Sequence, residues 1–223
     1  IWMGGCETQE QKVERLIKQL RDQNEEVRWD AGYALGQIGK DAVPALVQAL
    51  QDQNSQVRGS AAVALGEIRE EAVDAVPTLI QALKDQDAKV RANAAMALGE
   101  IGTPEAIKAV EGEVSALIQA LQDQDAKVRF AAAYALGQIG EGAVNAVPAL
   151  IQALQDEHVR GNAAMALGQI GTSEALKAAV PVLIKVLQDP DAEGRFRSIV
   201  ARILGEIDTP DALKAVEEYQ SRQ

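Results

Sequence analysis

Few residues of this chain have the types that carry out catalysis. It contains one histidine, His158, and one cysteine, Cys6. One histidine is too few for a His-Glu metal cluster, and the sequence offers no Ser-His-Asp or Cys-His set and no Gly-rich phosphate loop. We therefore predict no catalytic residue, no metal ligand and no cofactor, and a protein that is not an enzyme.

Two carboxylates have the character of an acid–base pair. Glu67 and Glu100 stand at the same place in two neighbouring sequence repeats, and two carboxylates held close together can act as general acid and base. The simpler interpretation is a pair of solvated charges, or a patch that attracts a basic partner. We adopt that interpretation.

The composition restricts the class of protein. Of the 223 residues, 47% are hydrophobic but only 3% are aromatic, and the formal net charge is -11. A core must then be built from Ala, Leu, Ile and Val. An acidic surface repels phosphate backbones, so we expect no nucleic-acid partner. Since no apolar run reaches the roughly 20 residues of a membrane span, we expect a soluble protein.

The N-terminal segment does not match the rest of the chain. Residues 1–11 form a tail that we interpret as an expression remnant or a plain extension. The lone cysteine fits a reducing compartment, so we predict a cytoplasmic protein. A lipoprotein signal ending at Cys6 is the alternative, although the apolar region that such a signal requires is absent from the sequence.

The sequence consists of helical repeats, and these must position any binding surface that the chain has. A Val-Arg pair, with Leu-Gly beginning seven residues after the arginine, recurs at Arg28, Arg58, Arg91, Arg129 and Arg160. A second apolar segment, such as AVPALVQAL from Ala42, precedes each copy after the first. Each unit therefore reads as helix A followed by helix B. We predict an all-α solenoid, an α-α superhelix of about six two-helix repeats over residues 12–207, with a capping helix in 208–223.

The ends of the helices agree with this assignment. Pro44, Pro77, Pro148 and Pro181 fall early in the A helices, where the missing N–H costs little. In the sixth copy, Asp189 would align Arg195 with the repeat arginine, whereas Leu204-Gly205 aligns Arg197. We prefer the second register because it places Phe196 on the core face.

On a helical wheel the B helices present three stripes: a core face, a seam of small residues such as Gly36 and Gly66, and a variable stripe roughly 140° from the core. Four of the seven aromatic residues occupy the variable stripe. Large side chains that neither the core nor stacking requires are typical of a binding surface. Alternatively, single rings cover neighbouring repeats. The predicted partner-binding residues are Trp29, Asp30, Tyr33, Gln37, Val63, Glu67, Asn93, Met96, Glu100, Phe130, Tyr134, Gln138, Asn162, Met165, Gln169 and Arg202.

The Asp-x4-Val-Arg turn, the Ala-Ala-x-Ala-Leu-Gly-x-Ile helix and the Val-Pro-x-Leu-Ile-x-Ala-Leu helix resemble HEAT-like repeats of the phycobilisome-lyase type. The resemblance implies that the B helices line a concave, partner-binding surface, and that recurring Asp and Arg side chains form a structural ladder between repeats. The ladder residues are Asp22, Arg28, Asp52, Arg58, Asp85, Arg91, Asp123, Arg129, Asp156 and Arg160. Because the turn after Asp156 is two residues shorter than the others, we expect the ladder to be distorted there.

The function we predict is a non-catalytic protein–protein interaction scaffold that binds a partner protein or peptide on the helix-B surface. The resemblance also implies an enzymatic alternative, a bilin lyase or isomerase subunit, or a phycobilisome-associated chaperone with a bilin chromophore as ligand. A third interpretation is a designed or consensus-like repeat binder. The irregular spacing of the repeats argues against this interpretation.

Overall fold

A computed structural model describes residues 7–102, 112–171, 177–189, 192, 194–207 and 209–222. Cys6 and the first residues of the predicted tail lie outside these ranges. In the residues described, all regular structure is helical, which confirms the all-α solenoid. The chain divides into two compact units, Ile1–Ala106 and Ile107–Gln223.

The first unit contains three helical pairs. The A helices are α1 (Gln9–Gln19), α3 (Val43–Ala49) and α5 (Val76–Ala82), and the B helices are α2 (Glu25–Ile38), α4 (Ser55–Ile68) and α6 (Ala88–Ile101). Short 3₁₀ segments, Gly39–Ala42 and Arg69–Ala75, lead into α3 and α5. Helix α1 begins three residues earlier than the predicted repeat because Thr8 and Gln11 form a capping box.

The second unit contains three pairs and one further helix. The A helices are α7 (Glu113–Ala120), α9 (Val147–Ala153) and α11 (Val180–Gln188), and the B helices are α8 (Ala126–Ile139), α10 (Arg160–Ile170) and α12 (Gly194–Glu206). The 3₁₀ segment Gly140–Ala146 leads into α9, and α13 (Pro210–Gln220) follows α12. Each of α3, α5, α9 and α11 carries its proline in the first turn, as predicted.

Aliphatic side chains and alanines fill the core of each unit. The leucine of the Leu-Gly pair is fully buried in every B helix, from Leu35 to Leu204. In α12, Phe196, Val200 and Ile203 are also buried. The burial confirms the register that places Arg197, rather than Arg195, in the arginine position of the sixth repeat.

The seam glycines allow successive B helices to approach closely. A Cβ atom built on Gly66 of α4 would lie 3.2 Å from Cα of Ala97 in α6, and one built on Gly137 of α8 would lie 3.1 Å from Cα of Ala166 in α10. Both distances are tighter than ordinary van der Waals contact with backbone. A methyl group added at either position would therefore push the neighbouring helix back by a few tenths of an ångström, which agrees with the small-residue seam that the sequence predicted.

Gly66→Ala tests this close approach. Alanine favours a helix by about 1 kcal/mol over glycine, but overpacking against backbone costs about 1–3 kcal/mol, so we expect the free energy of unfolding to fall by about 1 kcal/mol in urea denaturation. The matched control is Gly32→Ala, whose Cβ would have its nearest neighbour at 3.9 Å. The control is expected to gain up to about 1 kcal/mol; an equal gain in both variants would contradict a tight seam.

Arg69 occupies a backbone conformation that favours glycine. It follows α4 with φ 59° and ψ -136°, whereas Gly39 and Gly140 occupy the equivalent positions after α2 and α8 with φ 74° and 64°. A side chain in this region costs about 1–3 kcal/mol. The second repeat therefore stores backbone strain at the end of its B helix.

Arg69→Gly is expected to raise the free energy of unfolding by about 1 kcal/mol, since relief of strain exceeds the added flexibility of the unfolded chain. Arg69 Nη2 lies 3.6 Å from Glu100 Oε2. Arg69→Ala is the control, because it removes the same ion pair but keeps the Cβ atom. Urea denaturation of both variants separates the two contributions. If glycine stabilises no more than alanine, the strain is absent.

Candidate partner-binding surface

Arg58 and Asp85 form a rung that ties two repeats of the first unit together. Arg58 Nε donates to Asp85 Oδ2 at 2.6 Å, and its Nη2 donates to Oδ1 at 2.8 Å. Arg58 Nη1 also donates to the main-chain oxygen atoms of Asp52 and Gln53, in its own turn. One guanidinium thus fixes both its own A–B turn and the next one.

The carboxylate of Asp85 is anchored from two sides. Besides the Arg58 fork, its Oδ1 accepts the amide N–H of Asp87 at 2.9 Å. Burial acts to raise the pKa of Asp85, but these hydrogen bonds outweigh it and hold the pKa below the ordinary value for an aspartate. Asp85 is therefore ionised at neutral pH.

The second unit repeats this arrangement. Arg129 Nε donates to Asp156 Oδ2 at 2.6 Å and its Nη1 to the main-chain oxygen of Asp123 at 2.8 Å. Asp156 Oδ1 accepts the amide of His158, whose side chain is exposed. The rung is intact, so the expected distortion at Asp156 is wrong. The short turn instead shortens α10, which begins at Arg160 without a side-chain cap.

The contact between the first and second repeats differs from the predicted ladder, in which Arg28 would pair with Asp52. Asp52 is bound by Arg21 Nη2, a residue that the repeat comparison did not include. Arg28 Nη1 donates to the main-chain oxygen atoms of Asp22 and Gln23 in its own turn. The difference has a simple cause: Arg21 directly precedes the turn of the first repeat, where other repeats have Gln or Lys.

Three further ladder residues make the following contacts. Arg91 is buried and donates to the main-chain oxygen atoms of Asp85 and Gln86. Asp123 Oδ1 accepts the amide of Asp125 at 2.8 Å. The guanidinium of Arg160 lies 5.0 Å from the ring centroid of Phe196, within range of a cation–π contact.

The variable stripe of the first unit carries an exposed aromatic pair. Trp29 and Tyr33 on α2 are 66% and 51% exposed. Their ring centroids lie 5.7 Å apart and their planes differ by 4°. Because the two residues are one helical turn apart, stacking holds both rings in one orientation. The other stripe residues of this unit are exposed (Asp30, Gln37, Val63 and Glu67) or half-buried (Asn93, Met96 and Glu100).

A groove of about 430 Å³ lies beside this aromatic pair. Trp29 and Tyr33 border it, and Gly32, Gly59 and Ser60 are among the residues that line it. Gly59 stands at the position that Trp29 occupies one repeat earlier. The hollow arises because the indole of Trp29 in one repeat is followed by a glycine, which has no side chain, at the same position in the next. Its other lining residues are Glu25, Arg28, Ser55, Gln56, Val63, Glu67, Asp87, Ala88, Lys89 and Asn93.

Asn93 links α6 to the glycine in the groove. Its Nδ2 donates to the main-chain oxygen of Gly59 at 3.1 Å. The amide N–H₂ that was predicted to contact a partner thus also supports the groove. Asp87, at another part of the lining, has a pKa below its ordinary value because it accepts hydrogen bonds from the Ser55 side chain and the Lys89 amide.

A second depression of about 310 Å³ continues the groove, since Val63, Glu67 and Asn93 line both. Glu67 and Glu100 both line this depression. Arg69 Nη2 lies 3.6 Å from Glu100 Oε2. A guanidinium beside one of the two carboxylates favours their interpretation as surface charges over a catalytic acid–base pair.

The stripe of the second unit is also on the surface. Phe130, Met165, Gln138, Gln169 and Arg202 are exposed, and Tyr134 and Asn162 are half-buried. Arg202 Nη1 donates to Glu206 Oε1 at 3.0 Å. This face is apolar around Phe130 and Met165 and amide-rich elsewhere.

Sequence reasoning missed several residues of these sites, among them Gly59, Ser60, Lys89 and Arg21. The absent side chain of Gly59 was a usable signal, because Trp29 and Phe130 occupy its position in other repeats. Within the described ranges, no group of three or more His, Cys, Asp or Glu side chains is placed to hold a metal ion. The helices of those ranges include none long and apolar enough to cross a bilayer.

The paired helices, the seam and the rungs define a helical-repeat solenoid. The HEAT repeats family profile matches residues 13–75, 71–113, 114–178 and 159–222. The chain therefore belongs to the HEAT-repeat family. No curated protein sequence matches it.

Three solved structures illustrate its similarity. An engineered protein is 30% identical with a TM-score of 0.63, over 94% of this chain and 96% of that one. The CpcE–CpcF complex of phycocyanin lyase from Nostoc sp. PCC7120 is 26% identical with a TM-score of 0.60, over 69% of this chain and 96% of that one. A designed armadillo repeat protein in complex with the peptide (KR)4 is 21% identical with a TM-score of 0.64, over 92% of this chain and 99% of that one.

Proposed function

We propose that this chain is a non-catalytic scaffold that binds a segment of a partner protein, and that the groove of the first unit is its principal site. The observation that carries the proposal is the exposed, stacked pair of Trp29 and Tyr33 beside a hollow lined by Gly59. Repeat solenoids of this fold serve as protein-interaction scaffolds, and designed neighbours bind peptides.

The aromatic pair suits binding for energetic reasons. Each ring has two side-chain torsions, and stacking already restricts them, so little conformational entropy is lost when a partner covers them. Trp and Tyr in desolvated pockets commonly contribute about 2 kcal/mol or more to an interface. The rigid helices behind them are held by the seam and the rungs.

Charge favours a basic segment. The lining has three carboxylates, Glu25, Glu67 and Asp87, against Lys89 and Arg28. The Nη1 of Arg28 is already bonded to main-chain oxygen atoms. The net charge of -11 adds a long-range attraction for a cation. A designed armadillo protein of similar fold holds the basic peptide (KR)4, which is consistent with a Lys- or Arg-rich segment here.

The stripe of the second unit would add a further contact area on the same partner or another. Phe130 and Met165 supply its apolar surface, and Tyr134, Gln138, Asn162, Gln169 and Arg202 its polar groups.

Capture from a native host tests the proposal. We expect the tagged protein to retain partners, identified by mass spectrometry, that are lost from a folded variant carrying Trp29→Ala and Tyr33→Ala. Leu213→Ala, which truncates an exposed apolar residue of α13 that does not line the groove, is the control. Undiminished capture by the double variant would remove the groove from the binding surface.

A bilin lyase subunit is the second candidate, supported by the similarity to the CpcE–CpcF complex. Mixing the protein with a free bilin and recording visible spectra separates the two functions. The scaffold predicts no change in bilin absorbance, whereas a lyase subunit predicts a shift.

A further inference from the structure

Arg69 extends its side chain along the second depression, the one of about 310 Å³ that continues the groove of the first unit. There its guanidinium forms an ion pair with the half-buried carboxylate of Glu100. Val63 and Met96 line the same depression. The free protein therefore holds a guanidinium of its own against a carboxylate, with apolar surface beside it.

The backbone at Arg69 is an unusual place for a side chain. Its φ of 59° lies in the region that Gly39 and Gly140 occupy at the equivalent positions of two other repeats. Since the Arg69 side chain is exposed, packing of the core does not account for an arginine here. Strained residues of this kind concentrate at ligand-binding and switch sites, so the strain directs attention to what the side chain does on the surface.

The ion pair also shows which chemical group the depression accepts. Glu67 lines the depression together with Glu100, so that without Arg69 the lining would carry two formal negative charges and no positive one. Arginine commonly lays its methylene groups along apolar surface while its charged end stays in water, and Val63 and Met96 offer such a surface. An arginine side chain from a partner would match the same features.

The depression is within reach of a segment that lies beside Trp29, because Val63, Glu67 and Asn93 line both the depression and the groove. A Lys- or Arg-rich segment in the groove can therefore extend a second basic side chain into the depression. Two guanidinium groups at one carboxylate repel each other. The partner's side chain and Arg69 must then compete for the same place.

We propose that the depression is a second cation subsite of the groove, and that Arg69 occupies it in the free protein as an internal competitor. The inference rests on the proposed function of the groove as a site for a basic segment. Exposed ion pairs contribute little free energy, so a segment already anchored at Trp29 displaces Arg69 at small cost. A lone cation lacks that anchor. Arg69 thus restricts the subsite to segments that also fill the groove.

Fluorescence anisotropy of a labelled peptide of alternating Lys and Arg residues, at constant ionic strength, tests the competition. We expect Arg69→Ala to tighten peptide binding at least about threefold, within the range of an exposed ion pair. In the Glu100→Gln background, the same substitution should change the Kd less than about 1.5-fold, because the carboxylate for which the two cations compete is absent. Gains of equal size in both backgrounds would overturn the proposal, since Arg69 would then act only through its general charge.

Lys40→Ala is the matched control for charge. Lys40 is exposed in the same unit and lines neither the groove nor the depression. Its removal is expected to change the Kd less than about 1.5-fold, because exposed charges at a distance are screened by salt. A gain as large as that of Arg69→Ala would contradict the competitor. Circular dichroism verifies that every variant is folded.

Two outcomes separate this inference from the proposed function. A peptide that binds the wild type, loses affinity in Trp29→Ala and gains none in Arg69→Ala overturns the internal competitor alone. A peptide that binds neither the wild type nor Arg69→Ala overturns both the competitor and the groove as a site for a basic segment.

Discussion

Replacing Trp29 with alanine is expected to weaken the proposed binding of a Lys- and Arg-rich peptide about 30-fold, which corresponds to roughly 2 kcal/mol. The indole is the larger ring of the stacked pair and borders the groove. A lysine or arginine side chain laid on its face gains a cation–π contact. Fluorescence anisotropy of a labelled peptide measures the Kd.

The structure also predicts that this variant folds normally. Trp29 is 66% exposed, and substitutions at such positions usually change stability by less than about 0.5 kcal/mol. Trp29→Phe keeps a ring against Tyr33 and should lose less affinity than alanine. Leu213→Ala is again the control. A Kd for Trp29→Ala within twofold of the wild-type value would exclude the aromatic pair as the centre of the site.

Asp85→Asn is expected to lower the free energy of unfolding by about 2–4 kcal/mol at pH 7. The side chains of Asp85 and Arg58 are only 11% and 13% exposed, and breaking a buried ion pair from one side leaves the other charge without compensation. Asparagine retains an oxygen for the Asp87 amide, so the substitution isolates the ion pair from the turn. Urea denaturation followed by circular dichroism measures the loss.

Asp52→Asn is the matched control for this rung. Asp52 holds the same kind of turn, but the side chain of its partner Arg21 is 62% exposed, and such pairs contribute about 0–1 kcal/mol. Equal losses in the two variants would mean that burial of the rung contributes nothing.

The effect of Asp85→Asn should also depend on pH. The folded pKa of Asp85 lies below its ordinary value, so its ionised form stabilises the fold at all pH values above the unfolded pKa of about 3.9. That contribution is lost as the pH falls through the lower folded pKa. The difference between wild type and Asp85→Asn should therefore shrink on acidification below about pH 4.

The sequence predicted the helical pairs, their prolines and the sixth-repeat register because these follow from the periodicity of apolar residues. The stripe was predicted as a surface by the same wheel, and its side chains are exposed or half-buried in the structure. The groove was not predicted, because it depends on a difference between two neighbouring repeats: Trp29 in one and Gly59 in the next. A comparison that looks for shared features passes over such a gap.

Tertiary geometry decided the remaining differences. Arg21 binds Asp52 although its position in the repeat gave no sign of it. The strain at Arg69 depends on its backbone torsions, which the residues adjacent to it in the sequence do not determine. The short turn after Asp156 shortened a helix but left the Arg129–Asp156 ion pair in place.

The span of the rungs has a kinetic consequence. Arg58 and Asp85 are 27 residues apart, and so are Arg129 and Asp156. Contacts of such short sequence separation close small loops, which favours rapid folding. Because each rung needs only the two turns that it joins, folding can nucleate at any joint within a unit and propagate to its neighbours, as in a one-dimensional chain of coupled elements.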